Sequence, residues 1–302
     1  MRFLPLVAGT AAASAVAIRS TSDNIKCTDS LYVLVGRGTT EPAGPGSAGV
    51  LADKIAGKIK GTVVGSVDYP ASWSDPNYQV SETEGAAAVS SEMTKYNAAC
   101  PKAKIAYIGY SQGAQIGSDA FCGANVQLFG NVTAFNSDFV TNNVVAAVLF
   151  GDPSHNTTAP FNKGTSTKSG LFPRTDFSKC AKYTDRLVSY CDEGDRYCAS
   201  GSDVAVHGEY ITKYGDDFVK YIVDHYNAAA GTTSNSGNGS TITGSSNSTT
   251  GVSKPTPSAT GNNNGKPTGS GTPADKSAAA GIQAKIGYAA VPAAMAVAAL
   301  FL

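Results

Sequence analysis

Lys104-Ile105-Ala106-Tyr107-Ile108-Gly109-Tyr110-Ser111-Gln112-Gly113-Ala114-Gln115-Ile116-Gly117 runs from an apolar strand through two close glycines into a helix of small residues. The first five residues carry no polar alternation, which predicts a strand buried on both faces, as in a parallel sheet. Gly109-Tyr110-Ser111-Gln112-Gly113 is a Gly-x-Ser-x-Gly pattern, a weak signal by itself. Its place at the end of a strand and the start of a helix gives it weight. A serine presented on such a turn sits in strained backbone, so glycines are needed where the chain crowds itself. The helix N-terminus behind it favours a developing negative charge. Ser111 is therefore the candidate nucleophile.

Outward from this stretch the same alternation repeats. Leu31–Gly36, Thr62–Asp68, Val144–Gly151 and Arg186–Cys191 are short, rich in Val, Ile, Leu and Tyr, and stopped by glycine or polar residues. Together with 104–109 they predict five parallel strands. Helical spacing fills Gly49–Lys60, Ser81–Ala98, Gln112–Phe121 and Gly215–Ala230. Strands alternating with helices mean an α/β sheet covered on both faces. No internal repeat is visible.

A serine hydroxyl needs a base, and the chain has three histidines. His225 lies in the last helix, where a surface hydrogen bond is expected. His155 follows the fourth strand beside a glycosylation sequon and at most lines the rim of a cleft. His207, in Val204-Ala205-Val206-His207-Gly208, sits in a loop just before the last helix. Sheets of this kind present their base from such a late loop, in the chain order Ser, Asp, His. The acid that orients it should lie in Cys191-Asp192-Glu193-Gly194-Asp195-Arg196-Tyr197-Cys198. Asp192, Glu193 and Asp195 compete. Asp195, at the turn after Gly194, is the one a rigid loop would aim at an imidazole N–H.

The ends of the chain read differently from residues 23–230. Residues 1–17 have Arg2, an apolar run and a small-residue close at Ala15-Val16-Ala17, the pattern of a secretory signal peptide. Residues 231–277 are almost wholly Gly, Ser, Thr, Asn and Pro, a composition that cannot bury enough surface to order itself. Residues 278–302 follow the layout of a GPI-anchor signal, with Ser277 the candidate attachment site. Asn131, Asn156, Asn238 and Asn247 head glycosylation sequons. Six cysteines behind a leader argue for disulfides rather than a metal site. The 23 basic and 23 acidic residues cancel, and no basic patch argues for nucleic acid.

Gly109-Tyr110-Ser111-Gln112-Gly113-Ala114-Gln115, the spacing Cys191…Asp195…Cys198…His207, and Arg37-Gly38-Thr39-Thr40-Glu41 together resemble the cutinase and acetylxylan esterase family of fungal carbohydrate esterases. Cys122, in Phe121-Cys122-Gly123, and Tyr190-Cys191-Asp192 resemble the acetylxylan esterase branch, while Arg37–Pro42 also suits cutinase-like members. The resemblance implies an α/β-hydrolase fold with five parallel strands, no deep lid, and an exposed serine acting on esters. It implies that Thr39 and the backbone N–H of Gln112 form the oxyanion hole. It also implies the pairs Cys27–Cys100, Cys122–Cys180 and Cys191–Cys198.

The expected activity is ester hydrolysis through an acyl-enzyme, with Ser111, His207 and Asp195 as catalytic residues and neither metal nor cofactor. The expected substrate is an acetyl ester on xylan or a related plant or cell-wall polymer. The acetyl ester is preferred because the rim segments Pro70–Ser74 and Ala199–Val206 are mostly small and polar, with Trp73 the one large flat side chain, suited to a sugar ring; cutin-like polyesters are the alternative. A non-catalytic wall-anchored protein is a further reading, against which stands an intact triad. A surface lipase would need an apolar lid insertion, and none is present in the sequence. The expected protein is an extracellular monomer, held at a membrane only by its GPI group.

Overall fold

The computed structural model describes residues 25–231. The expected leader, the stalk beyond Gly231, Asn238, Asn247, Ser277 and the apolar tail lie outside the described residues. In chain order the elements are β1 (Leu31–Gly36), α1 (Gly49–Lys58), β2 (Val63–Ser66), α2 (Tyr78–Ala99), β3 (Lys104–Tyr110), α3 (Gln112–Cys122) and α4 (Val126–Phe129). They continue with α5 (Ser137–Asn143), β4 (Val144–Phe150), β5 (Asn162–Lys163), a 3₁₀ turn over Ser178–Arg186, β6 (Leu187–Tyr190), α6 (Val204–Gly208) and α7 (Tyr210–Ala229). The strands form one sheet in the order β2-β1-β3-β4-β6-β5, every neighbouring pair parallel.

Side chains alternate across this sheet because successive residues of a strand point to opposite faces. Leu31, Val33 and Val35 of β1 pack with Ile108 of β3 beneath Leu51 and Ile55 of α1 and Phe218 and Ile222 of α7. Tyr32 and Leu34 join Ile105 and Tyr107 on the other face, under Val89 and Met93 of α2 and Ile116 of α3. Each of these large side chains contributes on the order of 1.5–3 kcal/mol when taken fully from water. Burying both faces leaves the carboxyl ends of β3, β4 and β6 as the edge where the chain can expose chemistry.

The sheet has six strands where five were expected. The extra strand, β5, is two polar residues whose bonds to β6 come from tertiary placement: Ser189 N–H donates to Phe161 O and Cys191 N–H to Lys163 O, each at 3.0 Å. Nothing in Asn162-Lys163 favours a strand by itself. Helix α2 starts three residues before the expected Ser81 because the Asn77 side chain accepts from Val80 N–H at 3.0 Å and caps it.

The disulfides join Cys27 to Cys100, Cys122 to Cys180 and Cys191 to Cys198, the pairs the resemblance implies. A buried polar group ties α2 to α3: Glu82 faces Asp119, which pairs with Arg174, and all three side chains are buried. Of the two sequons among the described residues, Asn131 is exposed. Asn156 is half-buried, and its Nδ2 donates to Arg174 O at 2.8 Å.

Candidate active site

Ser111 stands between β3 and α3 with φ 55° and ψ −121°, a backbone state L residues rarely hold. Its N–H donates to Phe150 O at 3.0 Å, which anchors the turn to the end of β4. The turn is this tight because α3 enters directly against β1. A Cβ on Gly113 would lie 2.1 Å from Gly36 O, so only glycine fits there. The same contact brings Gly36 and Arg37 up to the first turn of α3, with Thr39 two residues further along the chain.

His207 reaches this serine from α6. Sequence reasoning placed it in a loop; instead Asp203 caps a single helical turn, its side chain accepting from Ala205 N–H at 2.8 Å. The imidazole Nε2 lies 2.8 Å from Ser111 Oγ and Nδ1 lies 2.8 Å from Asp195 Oδ2. The ring is held between Tyr197, centroid to centroid 4.5 Å, and Tyr110 at 5.2 Å. The Tyr110 hydroxyl also donates to His207 O at 3.1 Å. Gly151, just after β4, leaves room for the ring: it has φ +63°, and a Cβ there would lie 2.8 Å from His207 Cε1.

Asp195 is wholly buried at the tip of the loop closed by Cys191 and Cys198. Its Oδ1 accepts from the N–H groups of Tyr197 at 2.7 Å and Cys198 at 3.0 Å. Its Oδ2 accepts from His207 and from the Tyr210 hydroxyl, also at 2.8 Å. Burial pushes the carboxyl up, but the bonds from His207, Cys198 and Tyr197 outweigh it and hold the acid below the usual carboxylate range. A buried carboxylate with four donors stays ionised. The competitors are engaged elsewhere. Asp192 accepts from Lys213, Tyr214 and Thr165, tying the 165 loop to α7, and Glu193 is exposed.

The other two histidines stay out of this row. His225 bonds backbone oxygens of Tyr221 and Asp185 at 2.8 and 3.1 Å. His155 does not line a rim. It is buried, and loss of water pushes its pKa down to about 4, which keeps the ring neutral.

The 37–41 segment is stiffened from below. Arg37 donates to Val67 O, Tyr69 O and Glu41 O at 3.2, 2.6 and 3.0 Å. The Glu41 carboxylate accepts from Gly38 N–H and Ser47 N–H at 2.5 and 2.8 Å, and Thr40 N–H donates to Ala71 O at 2.7 Å. The Gln112 side chain ties the 70s loop to the elbow, donating to Ser72 O at 3.2 Å and accepting from Ser81 Oγ at 3.2 Å. As the first residue of α3, Gln112 has a backbone N–H with no acceptor inside its own helix.

Sequence reasoning missed Gly151, Tyr210 and Tyr197. A glycine after a strand reads as a stop signal, Tyr197 lies in a loop read for its acids, and Tyr210 precedes the expected helix start at Gly215, because α7 begins five residues earlier. Leu171 is a further omission: it is 47% exposed, and its N–H donates to Tyr197 O at 3.0 Å. It lies on a long segment without periodicity.

A family model described as cutinase matches residues 26–226. Acetylxylan esterase 2 of Talaromyces purpureogenus is 30% identical over 187 residues, 60% of this chain and 79% of that protein. Cutinase 11 of Verticillium dahliae is 32% identical over 170 residues, 54% of this chain but only 57% of its own length. Among solved structures, the catalytic core domain of acetyl xylan esterase from Trichoderma reesei matches with TM-score 0.62 at 29% identity, covering 66% of this chain and 100% of that one. A cutinase-like protein from Cryptococcus sp. matches at 22% identity with TM-score 0.54, a likeness of fold.

Proposed function

The chain belongs to the cutinase family and is a carboxylic ester hydrolase, and from that footing we propose that Ser111, His207 and Asp195 cleave short acyl esters, acetyl above all, on a polysaccharide. The observation that carries the proposal is the continuous row Ser111 Oγ–His207 Nε2, His207 Nδ1–Asp195 Oδ2, both links 2.8 Å. Asp195 holds the imidazole in the tautomer whose Nε2 accepts a proton. His207 takes the Ser111 proton as Oγ attacks the ester carbonyl. The oxyanion is met by the free N–H of Gln112 and by Thr39, its N–H assisted by its hydroxyl. Collapse expels the alcohol, which takes the proton back from His207. Water, deprotonated by the same ring, then releases the acid from the acyl-enzyme. The residues themselves supply base, acid and oxyanion donors, so the scheme assigns no step to a metal or cofactor.

The acetyl assignment is supported by rim segments 70–74 and 199–206 made mostly of small residues, with Trp73, 52% exposed, as a flat surface for a sugar ring. A second reading, action on cutin-like polyesters, is favoured by the apolar side chains near that rim. Leu171 lies beside Tyr197, and Val204, 52% exposed, precedes His207 by one turn. Three disulfides support an oxidising, extracellular setting. Secretion through residues 1–17, glycans at the sequons and a GPI group at Ser277 belong to the proposal on sequence alone.

The test is kcat/KM across p-nitrophenyl esters from C2 to C12, beside acetate release from acetylated xylan. An acyl pocket gains about 0.8 kcal/mol per buried CH₂, so a polyesterase climbs with chain length and an acetylesterase does not. Rising rates to C8 without acetate release would overturn the acetyl assignment. Undiminished hydrolysis by Ser111→Ala would overturn the site itself.

A further inference from the structure

Asp195 is held by a group on the last helix as well as by its own loop. The Tyr210 hydroxyl donates to Asp195 Oδ2, the same oxygen that accepts from His207, and accepts from Asp192 N–H at 2.8 Å. It also lies 3.2 Å from Cys198 Sγ, against the disulfide that closes the loop. The ring is buried, packed on Phe150 at 6.0 Å and Tyr214 at 6.3 Å between centroids. Tyr210 therefore joins three things: the last helix, both ends of the acid's loop, and the carboxylate that faces the base.

We propose that Tyr210 is a positioning residue of the hydrolytic row, fixing the Asp195 carboxylate opposite His207 and sharing its negative charge. The inference rests on the esterase reading above. A carboxylate oxygen with two donors is directed by both. The tyrosine sets the plane of the acid, and the imidazole N–H takes the remaining lone pair. Burial first, and then the Asp195 charge, push the Tyr210 phenol well above its ordinary value, so it stays a donor across the working pH range. The titratable groups facing Asp195 are His207 from α6, Tyr210 from α7, Tyr110 from β3, Tyr197 in its own loop and His155 from the loop after β4. Beyond Tyr210 lies the Asp192–Lys213 pair. Of these, His207 and Tyr210 donate from their side chains to the carboxylate.

Removing the hydroxyl leaves the acid more loosely aimed and more basic. The row then holds a proton more tightly, and the acid limb of kcat/KM moves to higher pH. Tyr210→Phe keeps the ring and its packing. On p-nitrophenyl acetate it should lower kcat about tenfold, the scale of a lost hydrogen bond to a charged group, with KM within about twofold. The acid limb should rise by roughly half a pH unit. In an Asp195→Asn background the same change should add little, because the tyrosine acts through that carboxylate. A tenfold loss that persists in full in the Asp195→Asn background, or a variant whose kcat and acid limb match wild type, overturns the inference. So does a Tyr210→Phe chain that fails to fold, since the hydroxyl would then serve stability. Each of these leaves the esterase reading standing so long as Ser111→Ala is inactive; an active Ser111→Ala removes the reading instead.

Discussion

Gly151 and His207 meet across a gap too narrow for a methyl group: a Cβ on Gly151 would lie 2.8 Å from Cε1 of the imidazole. The end of β4 thus sets how closely the base can approach the serine, although it contributes no functional group. Gly151→Ala should displace the ring and place alanine at φ +63°, a region that costs an L residue roughly 1–2 kcal/mol. A displacement of about 1 Å in a reacting group costs on the order of 10²-fold in rate. We expect kcat on p-nitrophenyl acetate to fall by about that factor while the melting temperature falls a few degrees. A variant with wild-type kcat and lowered stability would show that the ring accommodates the methyl.

Thr39 sits in a segment that Arg37 and Glu41 fasten to the backbone on both sides. A rigid donor aimed at a developing oxyanion is worth about 10²–10³-fold in kcat. Thr39→Ala should lose turnover toward that scale with KM little changed, and Thr39→Ser should restore most of it. Equal rates for all three would move the oxyanion donors elsewhere.

The Cys191–Cys198 bridge closes only a seven-residue separation. A loop that short contributes about 2.5 kcal/mol by chain entropy, or roughly 5–10 °C in a domain of this size. Because Asp195 accepts from Cys198 N–H, its effect on turnover should be larger than its effect on stability. The paired change Cys191→Ala with Cys198→Ala should keep a cooperative melt and lose more than tenfold in kcat, a rough figure on the scale of a misaimed catalytic group. Loss of stability without loss of rate would mean that the loop's backbone bonds aim the acid unaided.

How much of this was legible in the sequence differs by element. Val33, Val35, Ile105 and Ile108 announce β1 and β3 because a strand buried on both faces must be apolar throughout. Ser111 was legible because Gly113 cannot be anything larger where α3 meets β1. Asp195 could be picked from three acids in one loop by its place after Gly194, but why Asp192 stays out of the row was not legible, because that depends on Lys213 and Tyr214 of a distant helix, which engage it. Strand β5 and the turn of α6 left no pattern, since two and five residues are too few to show a period. Tyr210 was invisible because α7 begins five residues before the expected Gly215, so its hydroxyl fell in a stretch read only as the loop between His207 and the last helix.

Glu82 gives a prediction about pH. Burial, and then the neighbouring Asp119 carboxylate, raise its carboxyl far above the ordinary value of 4.5, so the folded protein keeps a proton that the unfolded chain releases. For a raised group the stabilisation is complete below the unfolded value and is lost as pH rises toward the folded one. Wild-type stability should therefore decline from about pH 5 through the alkaline range in part on this account. Glu82→Gln, neutral at every pH and close to glutamic acid in shape, should melt several degrees higher than wild type near pH 9. The two should converge near pH 4. Parallel melting curves across that range would show that Glu82 ionises in the fold.

The three disulfides follow one another along the chain, 27 with 100, 122 with 180, 191 with 198, none nested within or crossing another. Six thiols admit 15 pairings. This is the one in which each cysteine bonds with the next to leave the ribosome. A chain emerging N-terminus first into an oxidising compartment therefore meets each correct partner before any later thiol is present. Cys27 waits for Cys100, which arrives as α2 is completed, and the Ser111 turn is made only afterwards, on a first segment already closed. The order of synthesis selects the native set without reshuffling, so oxidative folding of this domain should need an oxidant more than an isomerase.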